Sequence, residues 1–136
     1  MVQFTVQYGQ TNANGKTLTK KNTASAPTVL FTGDSEKLYT FLVSDPDAPA
    51  KSWLHWLIVN IPGDTNDIYQ GETVMSYAPP SPPSGTHRYI FTLYEQRGGS
   101  MMVTKPYERG NFSVDGFERQ YGLQKLVHRI LKVPSK

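Results

Sequence analysis

The 136-residue sequence contains no cysteine, which excludes disulfides, thiolate nucleophiles and cysteine-based metal sites. It also has no stretch near the roughly 18 consecutive apolar residues of a membrane-spanning helix. The opening residues, MVQFTVQYGQ, lack the charged and apolar regions of a secretory signal peptide. Together these absences predict a cytoplasmic protein.

Charge is also scarce, since only 18% of the residues are charged and the formal net charge is +3. So small an excess, spread along the chain, gives no reason to expect direct nucleic-acid binding. Hydrophobic residues make up 38% of the chain, which is typical of a globular protein. We therefore expect a single domain over residues 1–136, monomeric, with one hydrophobic core and no cofactor.

Three β-strands give the strongest structural signals. Aromatic and β-branched side chains enrich residues 38–45 (LYTFLVSD) and 86–95 (THRYIFTLYE). Apolar residues fill nearly all of 53–61 (WLHWLIVNI), which indicates a strand buried on both faces. The 24 residues that follow, 62–85, show no strong structure of their own, and connections of that length are often functional.

Weaker signals come from the N-terminal part of the chain. Apolar and polar residues alternate from Val2 to Gln7, as in a half-buried strand. Asn14-Gly15 suits a tight turn, and we predict a return strand over 16–19. A short apolar run over 26–31 adds one further strand.

Near the C-terminus the pattern changes to that of a short helix. Phe117 and Tyr121 lie four residues apart on one face of a helix predicted over 114–121, and Gly122 can end it. A last strand is predicted over 127–133. Six or seven strands with one late helix indicate a mostly β fold, an antiparallel β-sandwich or barrel.

Strand alternation places polar residues on otherwise apolar faces, close to strand ends. Three face-sharing sets are predicted: Asp45 with Tyr39, Phe41 and Val43; His55 with Trp53, Leu57, Val59 and Ile61; and His87 and Tyr89 with Phe91 and Leu93. The short link 46–52 keeps two of these strand ends together, and the 24-residue connection is long enough to bring the third to the same rim. Asp45, His55, His87 and Tyr89 could then line one pocket.

Such a pocket combines hydrogen-bond donors with a carboxylate, which suits a phosphate ester that carries an amine. Three alternatives remain open. The histidines could be ordinary core residues, and Asp45 and Asp47 could be turn formers. Asp45 could activate His55 or His87 as the base of a hydrolase or lyase, although no nucleophile is evident. Two histidines and an aspartate could also ligate a metal, although the spacing of the histidines matches no compact metal motif.

At these residues the sequence resembles the phosphatidylethanolamine-binding protein family, which includes the Raf kinase inhibitor protein and plant flowering regulators. One family signature, an apolar strand ending in D-P-D-A-P, matches LYTFLVSDPDAP at 38–49. A Trp-x-His strand follows as WLHWLIVNI, and the second signature, a proline-rich loop before G-T-H-R-Y, matches PPSPPSGTHRYIFTLYEQ. Weaker similarity covers NGKTLT and RGNFSVDGFERQYGL, so the resemblance extends over nearly the whole chain.

The resemblance implies a PEBP-like β-sandwich with a small anion pocket at one end of the sheet. Its ligand-binding residues would be Asp45, Asp47, Pro49, Trp53, His55, Pro82, Pro83, Gly85, His87 and Tyr89. It implies a non-enzymatic binding module that accepts phosphate or a phosphatidylethanolamine head group. It would act by binding a protein partner, such as a kinase, protease or regulator. Peripheral contact with a membrane is a further option, as is inhibition of a partner through a surface loop.

The sequence departs from the family pattern in three places. Pro79-Pro80 stands where the family usually has Gly-Pro, and KLVHRIL replaces a P-V-A-G-like stretch. The family's C-terminal helix has no counterpart in the sequence, so a more open pocket is expected. The proline-dense loop should be a stiff wall, because each proline fixes its own φ and restricts the preceding residue.

Overall fold

The computed structural model describes residues 3–136, and within them the fold is mostly β, as predicted. The strands are β1 (Gln3–Tyr8), β2 (Thr11–Asn12), β3 (Thr28–Thr32), β4 (Leu38–Asp45), β5 (Trp53–Pro62), β6 (Glu72–Met75), β7 (Thr86–Gln96) and β8 (Leu123–Pro134), and the helix α1 is Val114–Tyr121. They form a three-stranded sheet, β2-β1-β3, and a five-stranded sheet, β6-β5-β4-β7-β8, with antiparallel pairing throughout. The predicted contribution of Val2 to the first strand lies outside the described residues.

Two hydrophobic clusters cover the two faces of the larger sheet. The inter-sheet core includes Phe4, Val6, Phe31, Phe41, Trp56, Tyr89 and Phe91. The outer core includes Leu42, Leu54, Leu57, Val59 and Tyr94, together with Phe117 of α1. The central strands β4 and β5 contribute to both clusters, which explains why 53–61 is apolar nearly throughout.

A β-bulge at His55 alters the predicted faces of β5. Val43 pairs with Trp56 while Ser44 pairs with Leu54, so His55 is an extra residue on its strand. His55 and Trp56 therefore turn toward the inter-sheet side. The prediction that Leu57 and Val59 share the face of His55 is wrong, because both side chains lie in the outer core.

The N-terminal hairpin is shorter than predicted. Thr11–Asn12 pairs with β1 across a turn at Gly9, whose φ of 61° lies in the left-handed region. The turn at Asn14-Gly15 is present, but residues 16–19 do not return along β1. Instead, Gly15 N donates to Ile130 O at 2.7 Å and Leu18 N to Lys132 O at 2.9 Å, so the segment lines the edge of β8.

The long connection 62–85 contains two elements that the sequence pattern did not reveal. A 3₁₀ turn spans Ile68–Gln70, with the Asp67 side chain accepting from Tyr69 N, and β6 pairs with β5 at the sheet edge. The chain then returns to the rim, where Ala78 N donates to His55 O at 2.9 Å.

The helix α1 has the bounds that the sequence predicts. Ser113 Oγ accepts from Gly116 N at the start, and Gly122 adopts a left-handed conformation at the end. The last strand begins at Leu123, four residues earlier than predicted, because β7 pairs with it along its whole length. Within residues 3–136, no helix has the length and apolar character to cross a membrane.

Candidate functional site

A cavity of about 320 Å³ opens at the rim where β4 ends and β5 and β7 begin. We call it the rim pocket, and its lining residues are Asp45, Ala48, Pro49, Trp53, His55, Ala78, Pro79, Ser81, Pro83, His87 and Tyr89. Seven of the ten residues predicted from the sequence lie in this lining: Asp45, Pro49, Trp53, His55, Pro83, His87 and Tyr89. The proline-rich loop thus supplies one wall and the segment after β4 supplies the other.

Three predicted site residues lie outside the lining. Asp47 turns outward, where its carboxylate accepts from Arg88 Nε at 3.0 Å and Arg88 Nη2 at 2.8 Å. Pro82 is buried but does not line the cavity. Gly85, with φ of 68°, is exposed, and its carbonyl accepts from Ser135 N at 2.8 Å.

Four lining residues were missed, namely Ala48, Ala78, Pro79 and Ser81. Small and imino-acid side chains carry no chemical signal in a sequence. The available clue was their position beside the two signatures, inside DPDAP and in the proline-rich loop.

Asp45 and His87 form a buried pair at the base of the pocket. Their side chains are 4% and 8% exposed, and His87 Nδ1 lies 2.7 Å from Asp45 Oδ2. A carboxylate only accepts, so Nδ1 carries the proton and Nε2 is the nitrogen left for a ligand. The other oxygen, Asp45 Oδ1, accepts from Asp47 N at 2.8 Å. Asp45 is therefore both a turn former and a pocket residue.

His55 is held in the same tautomer by the backbone. Its Nδ1–H donates to Ala78 O at 2.6 Å, which again leaves Nε2 for a ligand. The ring packs edge-on against Trp53 and Tyr89, with centroids 4.5 and 5.0 Å away. Burial lowers the pKa of His55, and the hydrogen bond to Ala78 and the Asp45 carboxylate offset only part of this effect.

Among residues 3–136, the Tyr89 hydroxyl oxygen is the one buried side-chain polar atom with no partner in direct hydrogen-bond geometry, although the Asp45 carboxylate and the Ser81 backbone lie near it. The residue is 1% exposed and lines the pocket. Burial and the neighbouring Asp45 carboxylate raise the pKa of Tyr89, so the hydroxyl keeps its proton at neutral pH. An unpaired buried hydroxyl costs stability unless something outside the chain satisfies it.

Arg109 does not line the pocket but hydrogen-bonds the backbone beside it. Its Nη1 donates to His55 O at 2.9 Å and to Leu54 O at 3.2 Å, and its Nη2 donates to Ser76 O at 2.9 Å. The guanidinium also lies over the Trp53 ring, 5.5 Å from its centroid. Arg109 thus ties the bulged start of β5 to the chain that leads into the proline-rich loop. The sequence signal for it was the RGNFS similarity, to which no role was attached.

The ion pair between Asp47 and Arg88 lies at the surface, so we predict that it contributes little to stability. Hydrogen bonds from Arg88 lower the pKa of Asp47 to about 2 from a usual 3.8. Because the side chains are 31% and 49% exposed, we expect Asp47→Ala to cost less than ~1 kcal/mol at pH 7. The full loss of unfolding free energy should be seen above about pH 4, and it should vanish as the pH falls through 2. Urea denaturation of the wild-type protein and the variant at several pH values can measure it. A loss well above 1 kcal/mol would mean that Asp47 supports the pocket.

The sequence also matches known proteins over most of its length. The sequence profile described as phosphatidylethanolamine-binding protein matches residues 7–129. The chain belongs to the phosphatidylethanolamine-binding protein family. The match contains every residue of the rim pocket.

Two plant proteins illustrate the relationship within this family. The rice protein named MOTHER of FT and TFL1 homolog 2 is 37% identical, over 93% of this chain and 78% of its own. The Arabidopsis thaliana protein BROTHER of FT and TFL 1 is 35% identical, over 85% of this chain and 68% of its own. A crystal structure of a phosphatidylethanolamine-binding protein homologue from Chlamydia trachomatis superposes with a TM-score of 0.60. It covers 99% of this chain and 97% of its own at 24% identity, which supports the fold alone.

Proposed function

We propose that this protein is a binding module whose rim pocket accepts a phosphate-bearing group, of the phosphatidylethanolamine head-group type. The observation that carries the proposal is the Tyr89 hydroxyl, a protonated donor that is buried, that makes no direct hydrogen bond to any described residue and that belongs to a cavity open to solvent. A phosphate oxygen would supply the missing acceptor.

The other polar groups of the pocket fit the two ends of such a ligand. The Nε2 atoms of His55 and His87 can hydrogen-bond a phosphate in two ways. Each can accept from a protonated phosphate oxygen, or it can take up a proton and donate to an unprotonated one. The Asp45 carboxylate favours a cation such as an ammonium group. Trp53 and the prolines add an apolar wall, and the fixed loop has little entropy to lose on binding.

Acid–base catalysis is the alternative that a specific observation favours. The hydrogen bond from His87 to Asp45 orients the imidazole as a general base requires. However, the hydroxyl of Ser81, the serine in the lining, contacts Pro79 O at 3.4 Å and makes no hydrogen bond to an imidazole. We therefore favour binding without turnover.

We further propose that an occupied pocket acts through a protein partner, such as a kinase, a protease or another regulator. Family membership and the exposed rim residues Pro49, Pro79 and Pro83 support this step, because a partner could contact the rim and the ligand together. A monomer in transient contact with a membrane surface would have access to both lipid head groups and protein partners.

The direct test is a titration with inorganic phosphate and with phosphoethanolamine, followed by the imidazole NMR signals. We expect shifts at His55 and His87 and no comparable shift at His128, which lies on β8 outside the pocket. Tighter binding of phosphoethanolamine would support the ammonium role of Asp45. If folded protein shows no shift at His55 or His87 at millimolar ligand, the proposal fails, and if phosphoethanolamine is hydrolysed, the catalytic alternative replaces it.

Anion binding should strengthen as the pH falls. His55 is neutral at pH 7 because burial lowers its pKa, and a bound anion raises that pKa by favouring the imidazolium. Asp45 opposes the anion, while Arg109 adds to the local positive potential. Sulfate keeps one charge state between pH 8 and 6, so its affinity should rise by up to about tenfold per pH unit if one proton is taken up. A flat calorimetric profile would show that His55 takes no part.

A further inference from the structure

The strand β3 presents an open edge on the side of the molecule away from β2. The sheet order β2-β1-β3 places it last, and within the described residues its backbone hydrogen bonds are made to β1 alone. Alternate residues of such a strand turn their N–H and C=O groups outward. Edges of this kind are commonly blunted by charged residues, prolines or bulges, and the sequence TVLFT contains none of these.

An apolar groove runs beside this edge. It has a volume of about 330 Å³ and is lined by Pro27, Thr28, Val29, Leu30, Asn66, Asp67, Ile68 and Tyr69. Leu30 is 46% exposed and Tyr69 is 57% exposed, although both are large hydrophobic side chains. The 3₁₀ turn is one wall and the edge of β3 is the other, so the groove offers backbone groups and apolar surface together.

The wall formed by the 3₁₀ turn is acidic in a chain whose net charge is +3. Residues 52–87 contain no lysine or arginine, and the exposed Asp67 lines the groove, while the exposed Asp64 and Glu72 flank the turn in the sequence. Among residues 3–136, none of these three carboxylates forms an ion pair. A partner at this groove is therefore favoured if it carries positive charge.

We propose that the open edge of β3 accepts an extended segment of a partner protein as an added antiparallel or parallel strand. Its apolar side chains would lie on Leu30 and Tyr69, and a lysine or arginine side chain would face Asp67, the carboxylate that lines the groove. A second copy of this chain fits less well, because pairing β3 with β3 would bring the same acidic wall to both sides. The surface is separate from the rim pocket, and no residue belongs to both linings.

Two blocked heptapeptides of opposite charge test the proposal, one alternating lysine with valine and one alternating glutamate with valine. On titrating the lysine peptide into ¹⁵N-labelled protein, we expect amide shifts at Thr28–Thr32 and Ile68–Gln70, with slower hydrogen exchange of the outward amides of β3. The glutamate peptide should bind at least about tenfold more weakly. Tyr69→Ser and Leu30→Ser should each weaken the lysine peptide by about tenfold. Tyr107→Ser is the control, since Tyr107 is a fully exposed tyrosine outside the groove.

Three results would overturn the proposal. Equal binding of the two peptides would remove the charge argument. Shifts confined to the basic strand β8, or to the rim pocket, would place the peptide elsewhere. Self-association through β3, seen as a concentration-dependent dimer in sedimentation that Leu30→Ser abolishes, would make a second copy the occupant.

Discussion

Asp45→Ala should lower the free energy of unfolding by about 3 kcal/mol. The substitution removes the acceptor of His87 Nδ1–H, at 2.7 Å, and that of Asp47 N, at 2.8 Å. The His87 side chain is only 8% exposed, so water cannot easily replace the lost carboxylate. A buried donor left without a partner costs ~1–3 kcal/mol, and the lost turn hydrogen bond adds ~1 kcal/mol.

Asp45→Asn separates the hydrogen bonds from the charge. An asparagine has one side-chain acceptor, so it can satisfy either His87 or Asp47 N, and we expect about half the loss seen with alanine. Urea denaturation of the three proteins at pH 7 gives the comparison. If alanine costs less than ~0.5 kcal/mol, the Asp45–His87 pair does not contribute to the fold in solution.

Elements with strong local signals could be predicted closely. The bounds of β4 and α1 agree with the sequence analysis. Aromatic and β-branched residues define β4, and Ser113 and Gly122 cap α1. Elements that depend on partners distant in the sequence could not be predicted. The segment 15–18 follows the edge of β8, and β6 pairs with the edge of β5. Neither contact leaves a mark in the local sequence.

The bulge at His55 limits any prediction from strand alternation. Alternation assigns His55, Leu57 and Val59 to one face, whereas one extra residue moves Leu57 and Val59 to the other. Even so, the histidine reaches the rim, because the bulge and the Ala78 hydrogen bonds direct it there.

The candidate site was predictable where a residue carries chemistry of its own, as Asp45, His55, His87 and Tyr89 do. The sequence could not show which carboxylate of DPDAP enters the pocket, because the outward position of Asp47 depends on its hydrogen bonds with Arg88. Arg109 could not be placed either, since its acceptors are backbone carbonyls far away in the chain. Packing partners of this kind become visible only in the folded structure.

Tyr89→Phe should weaken phosphate binding by about tenfold while leaving the protein as stable as before, or up to ~1 kcal/mol more stable. Within the described residues its hydroxyl makes no direct hydrogen bond, so removing it loses only weaker contacts with the Asp45 carboxylate and the Ser81 backbone and relieves a buried polar atom. If a ligand phosphate is the missing acceptor, the loss appears only on binding, since a hydrogen bond to a charged group contributes ~1.5–3 kcal/mol.

Tyr94→Phe is the matched control on the same strand. Its ring is also fully buried, but it lies in the outer core, and its hydroxyl donates to Glu118 Oε2 at 2.6 Å. We expect this variant to lose ~1 kcal/mol of stability and to keep its phosphate affinity. The decisive measurement is therefore the ratio of the phosphate dissociation constants of the two variants, from the His55 and His87 imidazole shifts. A ratio near ten supports an anion on Tyr89, whereas a ratio near one would contradict the account of the rim pocket.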